Sequence, residues 1–384
     1  MRQFLPRIQT PRRDRFAATI VIEAVTAAIG IALIVAAVVA NQSWLDRHFL
    51  PSFFIPRRWY VLIESIVRGA IATAGLVLTL GRSRLAHRVV GAPAMTVTVL
   101  AAAGLAIASS ELALRWILPQ PTEWLVREEE PRRQDDPQLG WVLTPARIGH
   151  STVSGRTVDY AIDAAGCRVR RVAESTETDR PTLLFVGESV MFGEGLAWDE
   201  SIPAQVSAMV GIQSANLAVH GYSTDQIYLR LARELPRFRQ PIAIVSIFMT
   251  ELFGRNLDED RPHLGPGLVW QSAKHESRLK SLARMLVPYR RDATVERGVR
   301  VTREVFLAIV EVARQRGATP LVIIPQFGAE DEIQRTIRQR IIADDIPTVL
   351  VRLDPDWRLA WDRHPNAQAA HVIATAVAER LEAH

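Results

Sequence analysis

One serine in the sequence stands where nucleophilic chemistry is often carried out. Ser189 lies in LLFVGESVMFGEG, two residues after Gly187 and directly behind an apolar run that predicts a strand. A serine at the carboxyl end of a buried strand is exposed where the chain turns into a helix. It acts as a nucleophile when a histidine can take its proton. A base must then be supplied by another part of the sequence.

The segment WDRHPNAQAAH near the C-terminus offers both a base and an acid. Proline is favoured as the first residue of a helix, so His364, directly before Pro365, is predicted to stand at a loop-to-helix junction. Asp362 lies two residues earlier and can hold the imidazole tautomer. Other residues remain open as the base or the acid, namely His220 and His371, and Asp354 and Asp356.

Elements that would position these groups are predicted from apolar runs alternating with helical stretches. Continuous apolar strands separated by helices indicate a parallel sheet covered on both faces. We predict a doubly wound α/β domain with five parallel strands and ligands at their carboxyl ends. The predicted strands are 182–187, 214–219, 242–249, 319–325 and 347–353, and the helices are near 198–210, 224–235, 302–316, 330–342 and 365–382. Gly221 follows the second strand, where its backbone N–H can face the same site.

Four blocks in this order resemble the SGNH/GDSL hydrolase superfamily. They are Gly187-Glu188-Ser189, then Asn216 with Gly221, then Thr250-Glu251, and finally Asp362-Arg363-His364-Pro365-Asn366. The lead-in segments LGWVLTP and IDAAGCRVR are also similar to those of many bacterial members, and the resemblance covers about residues 135–384. The G-x-S-x-G elbow of α/β-hydrolases is not met, because Met191 takes its last place.

The resemblance implies a flavodoxin-like SGNH fold and acyl transfer by a triad of Ser189, His364 and Asp362, without metal or cofactor. It implies an oxyanion hole formed by the backbone of Ser189 and Gly221 and by Thr250. The chain departs from the family at Thr250, where an asparagine amide is usual, and Asn256 is an alternative donor. The family acid often stands three residues before the histidine, a place held here by Trp361.

Three apolar runs within the first 110 residues are each long enough to cross a bilayer as a helix. They span about 17–40, 59–80 and 89–110, and they are too long and too many for a cleaved signal peptide. Arginines crowd the N-terminal arm and the loop predicted after the second run, at Arg82, Arg84 and Arg88. The positive-inside rule then places the N-terminus in the cytoplasm and the C-terminal part outside the inner membrane. Glu64 and Arg68, within the second run, are interpreted as an ion pair that joins helices.

The net charge of +5 belongs to this membrane region. The first 110 residues hold 12 arginines and 4 acidic residues, so the remainder is slightly acidic. A nucleic-acid partner is therefore not expected. The single cysteine, Cys167, excludes an internal disulfide and is interpreted as a small buried residue.

These observations divide the chain into a transmembrane region at 1–110, a linker and lead-in at 111–180, and a hydrolase-like domain at 181–384 with an insertion at about 255–299. The function expected from the resemblance and the location is that of a membrane-anchored, extracytoplasmic serine esterase acting on O-acylated envelope polysaccharide. An O-acetyltransferase, which would need a membrane acyl-donor partner, and a catalytically impaired glycan-binding scaffold remain alternatives.

Overall fold

The structure, a computed structural model, describes residues 12–50, 57–117, 130–153, 155–274, 277–286, 289–360 and 362–383. The chain forms two units. One contains the N-terminal helices together with the later helix Arg278–Leu286, and the other contains the strands and the remaining helices.

The helices have the following bounds. In chain order they are α1 (Arg12–Val39), α2 (Gln42–His48), α3 (Arg57–Gly91), α4 (Pro93–Ile117), α5 (Ser189–Phe192), α6 (Ile202–Val210), α7 (Thr224–Glu234), α8 (Arg278–Leu286), α9 (Asp292–Gln315), α10 (Glu332–Ile341) and α11 (Ala367–Glu382). Short 3₁₀ helices span Trp198–Glu200, Leu235–Arg237, Thr250–Leu257 and Pro266–Leu268.

The strands are β1 (Arg133–Asp136), β2 (Gly140–Leu143), β3 (Arg147–Val153), β4 (Arg156–Ile162), β5 (Arg168–Val169), β6 (Pro181–Phe185), β7 (Gln213–Asn216), β8 (Gln240–Ile247), β9 (His263–Gly265), β10 (Val269–Gln271), β11 (Thr319–Phe327) and β12 (Thr348–Leu353). Within the described residues the main sheet has eight strands in the order β12-β11-β8-β6-β7-β5-β4-β3. β1 pairs with β2, and β9 with β10, as separate antiparallel hairpins.

The prediction of a parallel five-stranded core is confirmed. β7, β6, β8, β11 and β12 lie side by side and pair in parallel. Their inner residues are fully buried, as apolar strands covered by helices on both faces should be. The sheet is wider than predicted, because β5, β4 and β3 continue it in antiparallel pairing beyond β7. β3 and β4 have exposed residues along their length, and β5 has only two residues, so none of the three shows a continuous apolar run.

The helical unit is held together by close contact between α1 and α3. Gly30 and Gly75 face each other so closely that a Cβ on either would lie within 2.7 Å of the other's carbonyl oxygen. Small residues of this kind let membrane helices approach backbone to backbone. Arg68 donates to the Ala37 carbonyl at 3.2 Å, and Glu64 accepts from Gln42 at 2.9 Å. Glu64 and Arg68 therefore each bind a residue of a neighbouring helix.

Three helices of this unit are long and apolar enough to cross a membrane: Arg15–Val39, Arg57–Gly91 and Pro93–Ile117. Their bounds differ from the predicted runs. The loop predicted around Arg82, Arg84 and Arg88 is part of α3, because nothing in its sequence breaks a helix before Pro93. The three arginines thus lie in the last turns of α3 and not in a loop between two helices.

The predicted insertion also has more structure than its polar sequence indicated. It contains the end of the 3₁₀ helix Thr250–Leu257, the β9–β10 hairpin, α8 and the first turns of α9. Helix α8 belongs to the helical unit, where Glu111 of α4 accepts hydrogen bonds from the backbone N–H groups of Arg278 and Leu279, both at 2.9 Å. A carboxylate there satisfies N–H groups that the first turn of a helix leaves open.

Candidate active site

The candidate nucleophile stands at the carboxyl end of β6, which lies between β7 and β8 in the parallel core. β6 ends at Phe185, and Ser189 begins the short helix α5. Gly187 is required between them, since a Cβ would lie 2.4 Å from Met191 Cβ and 2.8 Å from Ile247 Cγ2. The Glu188 carboxylate caps α5 by accepting from the Val190 N–H at 3.0 Å. The tight turn thus fixes where the serine hydroxyl lies.

The structure brings together the three side chains singled out in the sequence. His364 Nε2 lies 2.8 Å from Ser189 Oγ, although 175 residues separate them. His364 Nδ1 is hydrogen-bonded to Asp362 Oδ1, which also accepts from the His364 backbone N–H at 3.3 Å. The serine and histidine are almost completely buried. This is the geometry of a nucleophile, a general base and an orienting acid.

A buried arginine holds the loop that presents His364. Arg358 donates to the Arg363 carbonyl at 2.7 Å and to Glu251 at 2.9 Å. Its guanidinium also lies 3.9 Å from the ring centroid of Phe327. Glu251 stands in the third sequence block, so that block supports the histidine loop through an ion pair.

The end of this loop leads directly into the last helix. Leu359 N–H donates to the His364 carbonyl at 2.7 Å, and Arg358 and Pro365 form a β-bridge. Asn366 caps α11 by accepting from the Ala369 N–H at 3.0 Å. Hydrogen bonds therefore fix the backbone both before and after His364, and this holds the imidazole in place.

Carboxylates surround the imidazole on more than one side. Glu194 Oε2 lies 3.7 Å from His364 Nε2, and Glu188 Oε2 lies 2.7 Å from Ser189 Oγ. Burial lowers the pKa of His364, but the negative charge of Glu194 and the bonded Asp362 outweigh it, so that this pKa is raised overall. Burial opposes ionisation of Asp362 too, yet its hydrogen bond with His364 lowers its pKa overall and keeps it charged.

The serine hydroxyl has two acceptors and one hydrogen. It can donate to Glu188 when His364 is an imidazolium, or to Nε2 of a neutral His364. Only the second arrangement lets the histidine take the proton during attack.

Sequence inspection did not single out Glu194 at all, because its place in a glycine-rich segment gives no sign that it faces a histidine far along the chain.

Two backbone N–H groups are open at this end of the sheet. Among the described residues, no hydrogen bond uses the N–H of Ser189 or of Gly221. Gly221 has φ of +82°, a conformation that favours glycine, and its carbonyl accepts from Arg261 at 2.7 Å. The segment before it runs beside the nucleophile turn, with Val219 N–H donating to the Gly187 carbonyl at 3.1 Å. Open N–H groups of this kind are the usual donors of an oxyanion hole.

The two side chains considered for the third donor are placed differently. Thr250 begins its 3₁₀ helix and lines a small cavity with residues of β11, including Pro325 and Phe327. The amide of Asn256 is already engaged, since it donates to Thr224 Oγ1 and Thr302 Oγ1, both at 2.9 Å, and its oxygen accepts from the Thr224 N–H. Asn256 therefore has no free group to offer a substrate.

A second buried arginine organises the loop behind the nucleophile. Arg168 of β5 donates to the carbonyls of Phe192, Gly193 and Leu196 at 2.5 to 2.7 Å. Its guanidinium lies 4.8 Å from the ring centroids of both Tyr160 and Phe192. Burial lowers its pKa to about 10, so it stays charged at neutral pH. The only sequence signal was an arginine within a short apolar run of the lead-in segment.

The alternative residues lie elsewhere or are bonded otherwise. His371 is exposed on α11 and contacts Gln205 at 2.7 Å. Asp354 is exposed and accepts from the Asp356 N–H at 2.9 Å. Trp361 lies outside the described residues. Cys167 is buried, which raises the pKa of its thiol to about 12 and leaves it a poor nucleophile.

His220 is the one alternative that lies near the site. It is buried, directly before Gly221, and its pKa is lowered well below the usual value by burial and then by Arg133, Arg255 and His364. Neither of its ring nitrogens has a hydrogen-bond partner among the described residues. It is therefore a neutral polar group in the wall of the site.

One group of side chains could also hold a cation. Ligand atoms of Glu194, Asp362 and His364 lie within 4.8 Å of one another. Both nitrogens of His364 are already in contact with Asp362 and Ser189, so the same atoms form the hydrogen-bonded triad. Because the nitrogen atoms of His364 are occupied in this way, the arrangement of Glu194, Asp362 and His364 suits acid–base chemistry by the triad.

The chain is similar to solved structures of GDSL and SGNH hydrolases. A lipolytic protein of the G-D-S-L family from Desulfitobacterium hafniense matches with 12% identity and a TM-score of 0.33, covering 52% of this chain and 98% of that one. An acetyl xylan esterase from Butyrivibrio proteoclasticus matches with 10% identity and a TM-score of 0.33, covering 55% and 66%. An SGNH hydrolase from Slackia heliotrinireducens matches with 11% identity and a TM-score of 0.32, covering 52% and 98%.

No protein-family model matches the chain, and no curated protein matches it. The distances among Ser189, His364 and Asp362 therefore carry the functional argument.

Proposed function

We propose that this protein is a serine ester hydrolase of the SGNH type, with Ser189 as nucleophile, His364 as base and Asp362 as the acid that orients it. The observation that carries the proposal is the contact between His364 Nε2 and Ser189 Oγ at 2.8 Å, with Asp362 on the other ring nitrogen. The Ser189 hydroxyl already has an acceptor in Glu188 at 2.7 Å, so the contact with His364 is not needed merely to satisfy a buried hydroxyl. The open N–H groups of Ser189 and Gly221 supply two of the donors that the developing oxyanion would need.

The reaction then runs in two halves. Ser189 Oγ attacks the ester carbonyl carbon while its proton passes to His364 Nε2, and the carbonyl electron pair moves onto the oxygen. The tetrahedral intermediate collapses, the C–O bond to the alcohol breaks, and the alcohol takes the proton from His364. Water attacks the acyl-serine with His364 again as base, which releases the carboxylic acid and restores the serine.

We further propose that the substrate is an O-acyl ester on a cell-envelope polysaccharide outside the inner membrane. The proposal is supported by three helices able to cross a membrane and by arginines that favour a cytoplasmic N-terminus. An enzyme anchored in this way would meet envelope glycans at the membrane surface. A sugar hydroxyl in place of water would turn the same cycle into acyl transfer, with a membrane acyl donor as partner.

The test is turnover of p-nitrophenyl acetate by the purified full-length protein in detergent. Ser189→Ala and His364→Ala should each lower kcat by on the order of 10⁴-fold or more, because triad members act as a unit. His371→Ala is the matched control, since this histidine is exposed on α11, and it should retain wild-type rates. Equal rates for the wild type and Ser189→Ala would rule out the proposal.

A further inference from the structure

The proposed oxyanion hole lacks a third hydrogen-bond donor among the residues of the four sequence blocks. Two backbone N–H groups are open, but the third sequence block carries a threonine. Thr250 lines a cavity with β11 residues, and Asn256 is committed to Thr224 and Thr302. A tetrahedral oxyanion held by two N–H groups alone would lose about 10²–10³ in rate relative to one with a third donor.

Arg255 lies in the same 3₁₀ helix and close to the nucleophile. Its Nη1 atom is 4.0 Å from Glu188 Oε2. That same carboxylate oxygen is 2.7 Å from Ser189 Oγ. The same oxygen of Glu188 therefore contacts both the guanidinium and the serine hydroxyl. Asn256, the next residue in the chain, instead forms hydrogen bonds within its own network.

Arg255 also interacts electrostatically with other residues of the site. Its charge acts on Glu188 beside the serine, on Glu194 beside His364 Nε2, and on His220 directly before Gly221. These three residues flank the nucleophile, the base and the open N–H of the second block. The contact with Glu188 at 4.0 Å sets the guanidinium beside the nucleophile turn.

The hydrogen bonding of Arg255 is incomplete. In the part of the chain that the structure describes, its Nη1 is buried and has no hydrogen-bond partner. A buried guanidinium N–H without an acceptor is costly, so such a group in a native site usually has an acceptor that is supplied from elsewhere. About a fifth of the side chain (19%) is exposed, although its Nη1 atom is buried.

We propose that the guanidinium of Arg255, and not the Thr250 hydroxyl, is the third group that stabilises the oxyanion. The inference rests on the proposed esterase function and names a catalytic residue for it. The attraction between a fixed positive charge and the carbonyl oxygen grows as negative charge develops on that oxygen in the transition state. Glu188 keeps the cation in place before the substrate arrives.

The experiment compares Arg255→Ala, Arg255→Lys and Thr250→Val in the full-length protein in detergent with p-nitrophenyl acetate, an uncharged ester. Arg255→Ala should lower kcat by about 10²–10³ and change KM little, because the lost contact forms in the transition state. Added guanidinium ion should recover part of the rate of Arg255→Ala. Arg255→Lys should retain more activity than alanine, and Thr250→Val should stay close to wild type.

A second readout needs no turnover. An organophosphate ester that labels the active serine gives a labelling rate for each variant, and the Ser189→Ala protein is the blank. Arg255→Ala should be labelled more slowly than wild type at an unchanged temperature of half-unfolding. Labelling of Ser189→Ala as fast as wild type would defeat the esterase proposal itself.

Three outcomes would overturn the inference about Arg255 while leaving the esterase intact. The first outcome is that Ser189 is labelled equally fast in the wild type and in Arg255→Ala. A loss in Thr250→Val as large as in Arg255→Ala is another. A loss that appears only with esters bearing a carboxylate would make Arg255 a site for substrate charge and not for the oxyanion.

Discussion

The carboxylates around His364 decide at which pH the imidazole is neutral. A histidine acts as a base only above its pKa, and the pKa of His364 is raised although burial works against it. Glu194 lies beside Nε2 and is the largest of the charges that raise it, while Asp362 is bonded to Nδ1. The candidate enzyme should therefore lose activity at a higher pH on acidification than an ordinary histidine would require.

We predict that Glu194→Gln moves the acid limb of kcat/KM to lower pH. Removing the negative charge lowers the pKa of His364, so the neutral base persists at lower pH than in the wild type. The measurement is the pH dependence of p-nitrophenyl acetate turnover. Glu379→Gln, an exposed glutamate of α11, is the matched control and should not shift the limb. An unchanged limb in Glu194→Gln would show that its charge does not act on the base.

At the scale of elements, the antiparallel strands do more than widen the sheet. β5 places Arg168 under the loop that follows the nucleophile helix, where it binds the carbonyls of Phe192, Gly193 and Leu196. β4 supplies Tyr160, whose hydroxyl accepts from the Gly195 N–H at 2.7 Å. Gly193 itself has φ of +85° and is in close contact with this arginine. The lead-in segment is thus part of the support of the site.

We predict that Arg168→Met lowers both stability and kcat. It leaves the buried Leu196 carbonyl without a donor and weakens the bonding of Phe192 and Gly193, whose carbonyls keep Asn216 Nδ2 and the Leu196 N–H. An unsatisfied buried group costs about 1–3 kcal/mol. Arg168→Lys should recover little, because an ammonium cannot reproduce the planar fork of guanidinium donors. Half-inactivation temperature and kcat are the measurements. Arg170→Met, which removes only an exposed ion pair with Asp199, is the matched control, and an equal loss there would contradict a special role for Arg168.

At the scale of the whole molecule, the uneven distribution of charge is consistent with a protein fixed in one orientation in a membrane. Arginines accumulate before α1 and along the end of α3, while the long apolar faces of α1, α3 and α4 are exposed to their surroundings. Exposed apolar surface on this scale is stable in lipid and not in water. The sheet-containing unit has the ordinary buried core of a water-soluble domain.

We predict that alkaline phosphatase fused after Ile117 is active, since this reporter folds only outside the cytoplasm, and that the same reporter fused after Val89 is inactive. Reversing the three arginines Arg82, Arg84 and Arg88 to glutamate should weaken this difference, because positive residues are what hold a segment in the cytoplasm. Activity at Val89 and none at Ile117 in the unchanged sequence would reverse the proposed orientation.

The sequence by itself determined the parallel core and the three apolar helices. Continuous apolar runs such as that of β6 can be stable only when buried on both faces, and runs near 20 residues suit a bilayer. It also pointed to Ser189, His364 and Asp362, because each stands at a strand end or a helix start where local rules place exposed polar groups. Proline after His364 and glycine before Ser189 are signals of this local kind.

Only the tertiary structure decided which distant groups meet there. Glu194, Arg168 and Arg255 carry no local pattern that announces their partners, and Glu251 reaches Arg358 across 107 residues of chain. The sequence likewise did not reveal that Asn256 is engaged or that β3, β4 and β5 continue the sheet. The physical reason is that spacing along a chain specifies helix and strand, whereas charge pairing and burial depend on how separate elements pack against one another.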